Sequence, residues 1–146
     1  MPTFSSLPWQ VWALMSAAFA ALTAIFAKVG VEGINSDFAT LIRTAVILLV
    51  LAAIVVATGQ VQPLGAIAPR TYVFLALSAL ATGASWLCYF RALQLGNASQ
   101  VAPIDKLSVV LVAVFGVAFL GEALSLKNWL GIAMIGAGVI LVSLRG

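Results

Sequence analysis

FATLIRTAVILLVLAAIVVAT, Phe38 to Thr58, is an apolar run broken by a single charge, Arg43. Roughly 20 such residues, wound as a helix at 1.5 Å per residue, cross about 30 Å, the hydrocarbon thickness of a bilayer. Working outward, windows of the same kind recur on both sides, and the pattern predicts five spans at about 9–28, 38–58, 70–95, 100–120 and 127–144. The expected fold is an all-α integral membrane protein, with residues 1–146 forming one five-span domain and leaving no soluble domain. Connections are short, so consecutive helices are expected to be antiparallel neighbours.

Local signals set the expected ends. Ser6 and Pro8 suit an N-cap and an early helical position for the first span. That span has no positive segment ahead of it and exceeds a signal peptide's apolar stretch, so it reads as retained. Ser36 or Asp37 is the expected cap of the second, Gly59 its stop, and the third ends before Gly96 and Asn97. The clean run from Leu107 to Leu120 is too short to span alone, so the fourth must begin near Ser99. Pro103 then falls in or near its first turn, and Asp105 and Lys106 lie about a turn into the helix.

Composition agrees with lipid as the solvent. Of 146 residues, 64% are apolar and 8% charged, with a mean hydropathy of +1.19, against about half and a quarter in a soluble domain. The absence of His removes histidine triads, imidazole metal sites and imidazole proton relays. The lone Cys88 lies in an apolar segment and has no partner for a disulfide within the chain. A net charge of +3 without a basic run gives no reason to expect nucleic acid.

The charges instead follow topology. With five spans the termini lie on opposite sides, and one side collects Lys28, Arg43, Arg91, Lys106 and Arg145, with Glu32, Asp37 and Asp105. The other holds only Arg70 and Lys127, with Glu122. The Lys/Arg bias favours an outside N-terminus and a cytoplasmic C-terminus. Adjacent Asp105 and Lys106 point about 100° apart on a helix and are not expected to pair, so Asp105 is expected to meet Arg91 or Arg43. Lys28, Arg43, Arg91, Asp105 and Lys106 read either as interfacial anchors with one structural ion pair, or as groups that gate and neutralise charge for a solute.

Small and aromatic residues supply the remaining candidates. Thr82, Trp86 and Tyr89 fall at helical spacing in the third span with Ser85 beside them, and this face of hydroxyls and flat rings suits either bundle packing or a cavity for a small amphipathic solute. Thr23 belongs to a small-residue stripe with Ser16, Ala20 and Ala27, again a packing seam or a cavity wall. In the fifth span Gly131 and Gly138 are seven apart, and Ala133 and Ala137 make a second small pair. Lipid gives helices no hydrophobic reason to associate, so close backbone approach at small residues does it, and these four are the expected dimer contact.

The stretch from Ser85 to Val142, SWLCYFRALQLGNASQVAPIDKLSVVLVAVFGVAFLGEALSLKNWLGIAMIGAGVILV, resembles the C-terminal part of an EamA-type domain of the drug/metabolite transporter superfamily. The shared elements are a small residue and Pro opening the fourth helix, LGE at Leu120 to Glu122 closing it, and a Trp-Leu-Gly start to the fifth. Upstream, LTAIFAKVGVEGINSDFATLIRT also fits, with Lys28 closing the first helix and Arg43 in the second. The resemblance implies a unit that most members carry twice, as inverted repeats around a central cavity working by alternating access. This chain carries one copy, so it is one half of such a transporter and a second must come from another chain. The fifth span also resembles the last helix of small multidrug resistance transporters, where glycines at this spacing make the dimer contact. Those carry a proton-coupling glutamate in their first helix; here the first span has no acidic residue, Asp105 is the one carboxylate inside the spans as drawn, and Glu122 reads as structural.

The expectation is therefore a secondary transporter, working outward as a homodimer or with a paired five-helix partner, for a small metabolite or amphipathic compound. Its setting is a bacterial or archaeal cytoplasmic membrane, with no resident cofactor and a proton or other ion as the coupling species. The alternative is a non-transporting membrane scaffold or accessory subunit. An enzyme is not expected, since the chain offers no His, no paired carboxylates on one helix and no Cys with a base.

Overall fold

A computed structural model describes residues 8–144; Ser6 and Arg145 lie outside them. Every regular element among the described residues is helical, and five segments are long and apolar enough to cross a membrane. They are α1 (Trp9–Gly30), α2 (Ser36–Ala57), α3 (Pro69–Leu95), the pair α4 (Ala98–Asp105) and α5 (Ser108–Leu120), and α6 (Leu126–Ser143). In hydrocarbon each backbone N–H and C=O must find its partner within the segment, and a helix achieves this whatever its side-chain preferences. That is why the Val- and Ile-rich α2 is helical from end to end.

The helices fall into two compact units, one through Leu95 and one from Gly96. In the first, α3 packs against both α1 and α2. Its core is small: Ala24, Ala27, Val31, Phe90 and Leu93 are buried, while Leu49 on α2 is 69% exposed. Apolar residues turned outward are what a lipid-facing surface requires, because lipid tails solvate Leu as well as a protein core does. In the second unit α6 packs against α4 and α5. Gly136 meets α5 so closely that an added Cβ would lie 3.5 Å from Val110 Cγ2.

The ends of the helices repay comparison with the sequence. Gly59, at φ +66, stops α2 as expected, with its N–H bonded to Val56 O and that of Gln60 to Val55 O. The cap of α2 is Asn35 rather than Ser36 or Asp37: its Oδ1 accepts from Asp37 N (2.9 Å) and Phe38 N (3.1 Å), and Ser36 and Asp37 are already helical. Pro8 takes the cap position itself, with extended ψ, so it precedes the helix.

The fourth span differs most from expectation. It is two helices, and Pro103 sits in the body of α4 rather than its first turn. Proline brings no N–H to the Ser99 carbonyl and its ring crowds that oxygen. Downstream the ladder tightens to three-residue steps, Lys106 N to Pro103 O, Leu107 N to Ile104 O and Val109 N to Lys106 O, each 3.0 Å. Asp105 and Lys106 lie at this break. Contrary to expectation they pair with each other, Lys106 Nζ to Asp105 Oδ2 at 3.1 Å. The 100° argument fixes Cβ directions only, and an exposed four-carbon stem reaches around.

The αL glycine of the LGE motif, Gly121 at φ +68, closes α5. It turns the chain so that Glu122 N–H donates to Gly116 O (3.1 Å) and the Glu122 carboxylate lies against Gly116, where a Cβ would come within 2.6 Å of it. Ser125 then caps α6, accepting from Asn128 N. Glu122 thus shapes a helix terminus, in keeping with a structural reading.

Candidate functional site

The site is built at one end of the first unit. The Lys28 ammonium, in the last turn of α1, donates to Leu93 O at 2.6 Å. That carbonyl belongs to the last turn of α3, where carbonyls lack helical partners and the helix end is partly negative. Gln94 Nε2 ties the α1–α2 connection to the same place, donating to Val31 O (3.2 Å) and Ile34 O (2.6 Å). Three helix ends are thereby locked at one height. Lys28→Met is expected to destabilise the unit by about 1–2 kcal/mol, the usual worth of a part-buried charged hydrogen bond. A lowered midpoint in thermal unfolding of the detergent-solubilised protein checks it, with Lys28→Arg close to wild type.

Above that clamp Arg43 projects from the second turn of α2. Its guanidinium lies over the Trp86 ring, 4.1 Å from the centroid, and 5.4 Å from that of Phe90. Stacking of this kind holds the plane of the group while leaving its edge N–H donors free. Among the described residues Arg43 Nη1 is buried and makes no hydrogen bond.

Two cavities adjoin this stack. One, of about 370 Å³, is bounded by Thr23, Phe26 and Ala27 of α1, Ile42 and Arg43 of α2 and Phe90 of α3. The other, of about 610 Å³, is bounded by Asp37, Thr40 and Thr44 of α2 and Ser78, Thr82 and Trp86 of α3. Their charges are opposite: Arg43 is the charged lining residue of the first and Asp37 that of the second. The hydroxyl protons are spoken for locally, Thr23 donating to Phe19 O, Thr40 to Ser36 O, Thr44 to Thr40 O and Thr82 to Ser78 O, at 2.7–2.9 Å. Each hydroxyl therefore presents lone pairs to its cavity.

The structure thus brings together Thr23, Arg43, Thr82 and Trp86 from the expected set. Tyr89 is half-buried and packs edge-on to Phe90 at 6.4 Å, while Ser85 and Arg91 are exposed; these three line neither cavity. Asp105 and Lys106 belong to the second unit, at the break in the fourth span. Asp37, Thr40 and Thr44 were missed, although three polar residues at positions i, i+3 and i+7 of an otherwise apolar helix form one stripe. Asp37 also joins Asp105 as a carboxylate within a span. On α6, Gly131, Ala133, Ala137 and Gly138 are all exposed, and a Cβ at either glycine would meet nothing within 4 Å. At 100° per residue the glycine pair and the alanine pair centre about 130° apart, so they mark two faces rather than one.

A set of membrane-spanning helices whose polar side chains gather around solute-sized spaces defines an integral membrane protein of the transport class. The chain belongs to the EamA-like transporter family, which it matches over residues 7–144. It is 70% identical over 138 residues to a protein described as an uncharacterized transporter in the cobO 3′ region of a Sinorhizobium species, covering 94% of this chain and 98% of that one. It is also similar to probable flippase subunits named ArnE, for 4-amino-4-deoxy-L-arabinose-phosphoundecaprenol. The identity is 30% to that of Hamiltonella defensa and 34% to that of Yersinia pestis strain Pestoides F. Each of these matches spans 73 residues, 50% of this chain and 66% or 64% of the relative. No solved structure matches the chain.

Proposed function

We propose that the chain is half of a secondary transporter that moves a small metabolite or amphipathic compound outward by alternating access, paired with a second copy or a related five-helix chain. Both units belong to one domain in this reading, in keeping with a family match that runs through them. The observation that carries it is the Arg43–Trp86 stack, with a cavity adjoining each partner. Solute rests against the ring and the guanidinium, and the Lys28 clamp keeps both at one height. The membrane is a bacterial cytoplasmic one and the C-terminus cytoplasmic, following the Lys/Arg bias of the loops. Pairing also accords with the naming of the similar ArnE proteins as flippase subunits.

Inside-out vesicles holding the overproduced chain test this directly. Accumulation of solute on imposing an ion gradient supports it; vesicles indistinguishable from empty ones across a panel of amphipathic solutes would reduce the protein to a scaffold. Coupling is carried by a carboxylate facing solute. Asp37 lines the larger cavity, whereas Asp105 is held by Lys106. Asp37→Asn is accordingly expected to abolish uptake driven by a pH gradient while sparing exchange at equal concentrations, and Asp105→Asn to retain both; the two assays run side by side check it.

A further inference from the structure

We propose that the smaller cavity is a receptor for the acid group of an amphipathic anion, a carboxylate or a phosphate ester, seated on the free edge of Arg43. The observation is an unpaired donor beside the cavity. Arg43 Nη1 is buried without a hydrogen bond among the described residues, although an unsatisfied donor of a charged group is costly to bury. The cavity offers no charged acceptor to repair this. Its remaining lining is apolar apart from the Thr23 hydroxyl, and it contains no carboxylate.

The aromatic stack opposes a swing of the guanidinium away to water. With its Cζ 4.1 Å from the Trp86 centroid and 5.4 Å from that of Phe90, the guanidinium is held against the rings, and Nη1 is left as a donor without a partner among the described residues. A guanidinium edge matches the two oxygens of a carboxylate or phosphate, and such charge-assisted pairs are among the stronger hydrogen bonds. The apolar walls from Phe26, Ala27, Ile42 and Phe90 fit a hydrophobic body, and about 370 Å³ is enough for one or two fused rings. Arg43 lies seven residues beyond the first residue of α2, about 10 Å along the axis at 1.5 Å per residue. That depth admits either a soluble amphiphile entering from the aqueous side or the headgroup of an anionic lipid drawn in from the leaflet.

The inference deepens the transport reading, on which it rests only in calling the anion a cargo; binding is read without transport. The test uses the full chain in phosphatidylcholine nanodiscs, titrated calorimetrically with 1-naphthyl phosphate, 2-naphthoate and the cation 2-naphthylmethylammonium, each corrected for empty discs. The two anions are expected to bind and the cation not, with Arg43→Gln weakening the anions at least tenfold and Arg43→Lys less. Adding phosphatidylglycerol to the discs separates the sources. A loss of naphthyl phosphate affinity in the wild type but not in Arg43→Gln identifies a lipid headgroup as the occupant, and an unchanged affinity identifies a soluble amphiphile. Anion binding equally tight in Arg43→Gln, cation binding as tight as anion binding, or no anion binding in the wild type overturns the proposal. Should Arg43→Gln not fold, the charge series on the wild type and on Arg43→Lys decides alone. Binding that holds while vesicles show no uptake would sink the transport reading and leave this one standing.

Discussion

Trp86→Ala is expected to lower the initial rate of solute uptake into proteoliposomes by about tenfold or more, and Trp86→Phe by much less. The ring supports the Arg43 guanidinium at 4.1 Å, an attraction worth about 2 kcal/mol where water is excluded, and 1.4 kcal/mol is already a factor of ten. Removing the ring has a second effect, because Trp86 bounds the larger cavity while its partner in the stack bounds the smaller. With alanine the larger cavity loses part of its wall, and Arg43 gains freedom to turn away from its position beside the smaller one. Phenylalanine restores a π face, though a smaller one, and most of the wall. Rates normalised to reconstituted protein provide the check. A wild-type rate in Trp86→Ala, with the protein shown to be folded by its unfolding midpoint, would remove the stack from the pathway.

The five spans were legible because lipid is a strict solvent. An uninterrupted apolar length of about 20 residues leaves the backbone one common solution. The stop at Gly59 was equally plain, since only a residue without Cβ takes the left-handed turn cheaply, and its observed φ is +66. What the sequence hid were features decided by side-chain reach and by competing neighbours. Asn35, Ser36 and Asp37 are three good caps in a row, and spacing alone does not rank them. The break at Lys106 follows from Pro103, which sits one residue deeper in the helix than expected because α4 starts at Ala98 rather than near Ser99.

The same limits governed the site. Trp86 stood out as a flat ring beside hydroxyls, and Arg43 as a charge within an apolar run. Their contact joins residues 43 positions apart and belongs to the packing of α2 on α3, which no periodicity encodes. Asp37 escaped notice for a different reason. Read as a cap, it was assigned to the backbone, whereas Asn35 performs that task and leaves its side chain to line the larger cavity. Ser85 and Tyr89 behave differently: Tyr89 shares helical spacing with Thr82 and Trp86 and Ser85 lies beside them, yet Ser85 is exposed, the Tyr89 ring meets Phe90, and neither lines either cavity.

If the chain pairs through the glycine face of α6 as proposed, Gly131→Leu combined with Gly138→Leu is expected to leave it monomeric and to abolish uptake, with the helical content and the fold of each unit unchanged. The argument starts from the direction in which α6 faces its own chain. Ile132, Gly136 and Val139 recur at i, i+4 and i+7 and are the less exposed residues of that helix, with Val139 buried and Gly136 against Val110. Gly131 and Gly138 lie about 110° around the helix from that seam, where an added side chain meets nothing in its own chain. Leucine there is therefore free of internal clash, and it raises helix propensity by up to about 1 kcal/mol per site. A neighbouring helix that approaches the two glycines closely loses that approach once each carries four extra carbons. Gly136→Leu provides the contrast, since its Cβ already touches Val110 at 3.5 Å and the rest of the side chain crowds α5, which should lower the unfolding midpoint of the monomer. Leucine at both Ala133 and Ala137 tests the second face of α6 and is expected to leave the dimer intact if the glycine face alone makes the contact. Single-molecule photobleaching in bilayers reads the stoichiometry directly, and two-step bleaching that persists in the double glycine variant would move the partner contact elsewhere.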